Sequence, residues 1–128
     1  MRLKCFFVLM IFASVLFTSA AQDVDSAVKK GFSSGDVNLI SKNMADKVFY
    51  VFYPERKSLT KDDATKKLDQ FFKDKKPKDF SSTHDSRQDN VHYIIGKLTT
   101  TSGDYRVHLL FDTMNGNEVV TQIRIESL

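Results

Sequence analysis

Ala64, Leu68, Phe71 and Phe72 stand at i, i+4, i+7 and i+8 in a stretch that carries Lys66, Lys67, Asp69 and Lys73 on its other side. From Phe80 onward the period changes to two. A helix with one aromatic stripe and strands apolar on one side must cover each other, because neither buries its apolar surface alone. The pattern therefore predicts an α+β domain in which a long helix over 59–76 packs on an antiparallel sheet.

The ends of that helix are written in the sequence. Thr60 and Asp63 have capping-box spacing, Leu59 is placed to staple the first turn, and Pro77 stops it. Lys73, Lys75, Lys76 and Lys78 cluster where positive charge suits the C-terminal end of a helix dipole. Upstream, Val24, Ala27, Val28 and Phe32 mark a first short helix, which Ser33-Ser34-Gly35 ends. Asp36 is placed to cap a second helix with Val37, Ile40 and Met44 as its stripe. Val48 to Tyr53 is β-branched and aromatic throughout and reads as a strand covered on both faces, ended by Pro54.

Downstream, polar residues 80–90 read as an edge strand with a loop. Strands follow over 91–99, 105–112 and 118–126, with turns at 101–104 and 115–117 and Gly96 marking a bulge or bend. In the last hairpin the apolar sets are Tyr105, Val107, Leu109, Phe111 and Val119, Thr121, Ile123, Ile125. Odd positions face odd ones only across a loop with an odd number of residues, so the expected loop holds three or five residues including Gly116. The three-residue version sets Arg106 opposite Glu126 and His108 opposite Arg124.

Residues 1–21 read as a secretory signal and 22–128 as a single domain. Arg2 and Lys4 precede an apolar run from Cys5 to Phe17, and Thr18-Ser19-Ala20-Ala21 supplies the small residues for cleavage after Ala20 or Ala21. The run is short for a bilayer span, which disfavours an uncleaved anchor. The expected product is exported, periplasmic or secreted, with no stable membrane insertion after cleavage. Cys5 is the only cysteine, so no disulfide framework and no cysteine-based zinc site exists. Taking Arg2 and Lys4 from the 19 basic residues leaves 17 against 16 acidic ones, a net charge of +1. A nearly neutral domain lacks the positive field that binds phosphate backbones, so nucleic acid is not an expected partner.

Phe71-Phe72, the run Tyr93-Ile94-Ile95-Gly96-Lys97-Leu98-Thr99-Thr100 and Gly103-Asp104-Tyr105-Arg106-Val107 resemble a family of small exported bacterial proteins known only as a domain of unknown function. That family lies in the nuclear transport factor two-like (cystatin-like) superfamily. The resemblance implies two short helices and one long helix packed in a strongly curved antiparallel sheet, a cone-shaped roll. It leaves activity open, because the superfamily holds dehydratases, isomerases and hydrolases beside binding and dimerisation modules.

Candidate chemistry is sparse. His84 adjoins Asp85, but neighbours on a strand point to opposite faces, which favours a solvated segment over a working pair. His108 shares a strand face with Arg106 and meets Arg124 and Glu126 across the hairpin, a group able to grip an anion. With Leu110, Val120 and Ile94 on or near it, the same surface also fits a homodimer contact or a solvent-facing ladder of ion pairs, and these readings rank ahead of the ligand site. Tyr50, Phe52, Phe71, Phe72, Tyr93 and Tyr105 either line a pocket inside the cone or fill its core, and a domain this small favours the core. The candidate ligand-binding residues are thus Tyr50, Tyr93, Arg106, His108 and Arg124. No catalytic residue, metal ligand or cofactor is assigned: no two histidines have metal-ligand spacing, and phosphate loops, dinucleotide fingerprints and framed nucleophiles are absent.

The leading expectation is a binding or interaction module with a pocket at the open end of the cone, a small-molecule ligand or a second copy of itself as partner. The alternative is a cofactor-free enzyme of dehydratase or isomerase type with a pocket Tyr or His as acid–base group. Two titratable side chains converging in an aromatic-lined, water-accessible cavity would favour the enzyme.

Overall fold

A computed structural model describes residues 24–128, and the expected signal segment lies outside the described residues. The chain runs α1 (Val24–Ser34), α2 (Val37–Ser41), β1 (Met44–Phe52), β2 (Glu55–Thr60), α3 (Lys61–Lys75), β3 (Pro77–Gln88), β4 (Val91–Thr100), β5 (Gly103–Met114) and β6 (Asn117–Ser127). One curved, unclosed sheet has the order β2-β1-β6-β5-β4-β3. Neighbours are antiparallel except β1 and β6, which pair in parallel because the last strand inserts between β1 and β5.

The α3 ends form as the sequence specifies. Thr60 Oγ1 accepts the Asp63 N–H at 3.1 Å, and Asp62 and Asp63 sit in the first turn where the dipole favours negative charge. At the other end Lys76 turns left-handed and donates its N–H to Phe72 O at 2.9 Å. Thr101, in the β4–β5 turn, donates both its N–H and its hydroxyl to Lys75 O, tying the helix end to the sheet. Ala64, Leu68, Phe71 and Phe72 are buried together with Val107, Leu109, Ile123 and Ile125. The cone is filled by its own side chains: Phe71 meets Phe52 and Tyr105 edge to face, at centroid distances of 5.3 and 5.2 Å.

Several local expectations give way to tertiary context. Met44 opens β1 instead of closing α2, because strand pairing with Val120 outcompetes another helical turn. β1 is covered on both faces only in part: Val48 and Tyr50 are buried inside and Val51 outside, whereas Phe49 is 40% exposed. β2, with only Leu59 packed on the core, carries no alternating apolar signal and is held by pairing to β1.

The last hairpin turns on two residues, Asn115 and Gly116, both at positive φ, where three or five were expected. Parity is restored further along. Leu110 pairs with Gln122 and Phe111 with Val120, leaving Thr121 as an extra residue in β6. Beyond this bulge the apolar face is set as predicted, with Leu109 opposite Ile123 and Val107 opposite Ile125. Before it, Val120 points inward and is fully buried, as is Ile94; neither lies on the outer face.

Candidate functional site

Three places collect functional side chains. The first is the outer sheet face. Register sets His108 opposite Arg124 and Arg106 opposite Glu126, the two pairings predicted from the hairpin. On β4, Ile95 pairs with His108 and Tyr93 with Leu110, adding a phenol and apolar surface to the same face. The Tyr93 hydroxyl lies 2.9 Å from His108 Nδ1. Glu126 Oε1 stands 3.5 Å from both Arg106 Nη1 and His108 Nε2. Burial, with Arg124 and Arg106 adding to it, holds the His108 imidazole below its ordinary value against the opposing pull of Glu126. With the ring neutral and the phenol donating to Nδ1, the remaining proton sits on Nε2, which is buried and makes no hydrogen bond among the described residues.

Tyr93, Arg106, His108 and Arg124 therefore come together as one group. Tyr50 does not join them: it points into the core and is 1% exposed. Glu126 also changes the chemistry of the group, because an acid that pairs with Arg106 and faces His108 Nε2 is already in place. That weakens the case for a dedicated anion grip.

The second place is the mouth of the cone. Tyr50, Phe52 and Phe71 line an opening of about 200 Å³ with Glu55, Lys67 and Asp74 at its edge. Burial and the nearby Glu55 charge push the Tyr50 phenol well above its ordinary range, so it stays protonated near neutral pH and is no base. Lys67 Nζ, 3.0 Å from Glu55 Oε2, holds that exposed carboxyl below its usual range, against desolvation and with Lys67 and Lys57 charge assisting. Such a volume lies under the range of typical small-molecule sites, roughly 300 Å³ and upward.

The third place was not singled out from the sequence. His92 is 1% exposed and stacks on Phe111 at 5.2 Å. Its Nε2 lies 2.7 Å from Asp85 Oδ1 and its Nδ1 3.2 Å from Glu118 Oε1. Arg87 bonds the other Glu118 oxygen, and Lys29 of α1 reaches Asp85 Oδ2 at 3.5 Å. Burial works to raise the Asp85 carboxyl, but its hydrogen bond and charge interaction with His92, and Lys29, bring it below its ordinary value. Asp25 of α1 completes a set in which one donor atom each from Asp25, Asp85 and His92 lies within 4.8 Å of the others. The available signal was parity, since His92 falls in the inward series with Ile94, Gly96 and Leu98. Asp85 is thus more than part of a solvated segment. The opposed facing of His84 and Asp85 holds: His84 pairs with Ile95 and is exposed, while Asp85 pairs with the buried Ile94.

Residues 25–126 match the family described as Domain of unknown function (DUF4783). Among solved structures, a DUF4783 family protein from Bacteroides ovatus ATCC 8483 is 31% identical at a TM-score of 0.79, covering 80% of this chain and 94% of that one. A second, from Bacteroides uniformis ATCC 8492, is 27% identical at a TM-score of 0.78, covering 80% and 95%. An NTF2-like protein of unknown function from Cytophaga hutchinsonii ATCC 33406 shares 8% identity and the fold, at a TM-score of 0.62 over 88% of this chain and 93% of that one. No curated protein matches this chain.

Proposed function

The chain belongs to the DUF4783 family and has the NTF2-like fold, and on that premise we propose that it is an exported binding module whose working surface is the outer face of its sheet, where it pairs with a second copy of itself. The observation that carries this is the composition of that face. All the helix residues of the core cluster pack with Val107, Leu109, Ile123 and Ile125 on the inner side. The outer side is left with Tyr93, Ile95 and Leu110, only half-buried, beside an exposed Phe49.

The charges on this surface suit a copy of itself. Arg106 and Arg124 share the patch with Glu126, so the face carries both signs of charge, which limits repulsion between two copies in an isologous contact. Tyr93, Ile95 and Leu110 beside them supply the burial that stabilises such a contact. Export is supported by the basic start, apolar run and small residues of 1–21. No helix among the described residues is long and apolar enough to cross a membrane.

An enzyme reading loses its best residues, since Arg106, His108, Arg124 and Glu126 stand outside the cone and Tyr50 is no base. The mouth of the cone remains as a secondary site for a small ligand group. Sedimentation equilibrium tests the main reading: a dimer at micromolar concentration, with Leu110→Glu monomeric and still cooperatively folded, is expected. A wild-type monomer across the whole concentration range overturns it.

A further inference from the structure

We propose that Asp25, Asp85 and His92 form a binding site for a divalent transition-metal ion of the zinc type, with Glu118 orienting the histidine from behind.

The argument begins with the two nitrogens of His92. Both face a carboxylate oxygen, Nδ1 toward Glu118 and Nε2 toward Asp85. A neutral imidazole has one N–H. If Nδ1 gives it to Glu118, the Nε2 lone pair meets an Asp85 oxygen at 2.7 Å; if Nε2 gives it to Asp85, the Nδ1 lone pair meets a Glu118 oxygen at 3.2 Å. Either way two acceptors are in contact, which a cation at the ring relieves, either a second proton or, on the Asp85 side that reaches the surface, a metal ion at Nε2. A ring 1% exposed cannot turn to water to avoid it.

The surroundings favour a metal as well as a proton. An imidazole that donates one N–H to a carboxylate while offering the other nitrogen outward is the arrangement that fixes the tautomer in metal sites. Glu118 is itself held by Arg87, so the supporting carboxylate is fixed in turn. Asp25 and Asp85 offer oxygens on the Nε2 side, and one imidazole with two carboxylates suits zinc and its neighbours. Asp85 is exposed and Asp25 half-buried, which leaves a path for entry and a coordination position open to water.

Lys29 identifies the competitor. Its ammonium lies 3.5 Å from Asp85 Oδ2, neutralising the carboxylate that the ion would use. Metal entry opens the Asp85–His92 contact by about half an ångström, to the donor spacing of about 3.3 Å around a tetrahedral zinc-sized ion, and displaces Lys29. The three donors come from α1, β3 and β4, which is why no ligand spacing is visible along the chain.

The experiment is a calorimetric titration of the purified protein with zinc chloride near neutral pH, paired with melting curves. One equivalent bound with a raised melting temperature is expected. Asp25→Asn, at the start of α1, weakens binding by about tenfold or more and reduces the rise in melting temperature on adding zinc. Lys29→Gln strengthens binding, and His84→Gln, an exposed histidine outside the site, leaves it unaltered. Absence of binding at millimolar zinc overturns the proposal. So does equal affinity in wild type, Asp25→Asn and Asp85→Asn, which shows zinc held elsewhere on the surface.

Discussion

Phe80 lies flat over Gly96: its Cε1 and Cε2 atoms stand 2.7 and 2.9 Å from the point where a β-carbon at residue 96 would be, with Cζ nearer still. The ring occupies the space that glycine leaves and passes it on to Phe32, 5.7 Å away, joining edge strand β3 to α1. Gly96→Ala is therefore expected to destabilise by about 1–3 kcal/mol through overpacking. Phe80→Leu in the same chain should recover part of that loss, so that the two effects are non-additive. Chemical denaturation of the two single variants and the double variant measures it.

Stability should fall on mild acidification because of His108. Its folded imidazole gains a proton at lower pH than the unfolded ring, whose ordinary value is 6.5. Below that value the unfolded state holds more protons, so lowering the pH through this window favours unfolding. The groups facing the ring are Tyr93, Arg106, Arg124 and Glu126, and only Glu126 opposes the effect. His108→Gln should flatten the melting-temperature profile as the pH falls below about 6.5.

The middle of α3 carries the core. Leu68 is fully buried among Phe71, Phe72 and the sheet, and Leu68→Ala should cost about 2–5 kcal/mol. At the helix start, Thr60→Ala removes the acceptor for the Asp63 N–H and should cost about 1 kcal/mol. Urea unfolding separates the two by size.

What the sequence made legible follows from local patterning, and what it hid arose from long-range pairing. The α3 stripe, its cap and its stop were readable because Thr60, Leu68, Phe71 and Pro77 act within a few residues of one another. The face carrying Leu109 and Ile123 was readable from alternation. The two-residue turn was not, because a bulge at Thr121, several residues away, corrects the parity that the Asn115-Gly116 turn breaks. β2 escaped notice because its strand state comes from pairing with β1. The group on the outer face was reached through register, whereas the His92 cluster draws on α1, β3, β4 and β6 and has no local signature.

Pairing through the outer sheet face can be tested by a thiol placed at its centre. Cys5 is the only native cysteine, so Leu110→Cys in a Cys5→Ser chain puts one thiol on that face, and Lys66→Cys puts one on the exposed side of α3. After oxidation, the expected result is a disulfide-linked dimer for Leu110→Cys and a monomer for Lys66→Cys. Equal cross-linking of both variants, or none at residue 110, contradicts a contact between copies at this surface.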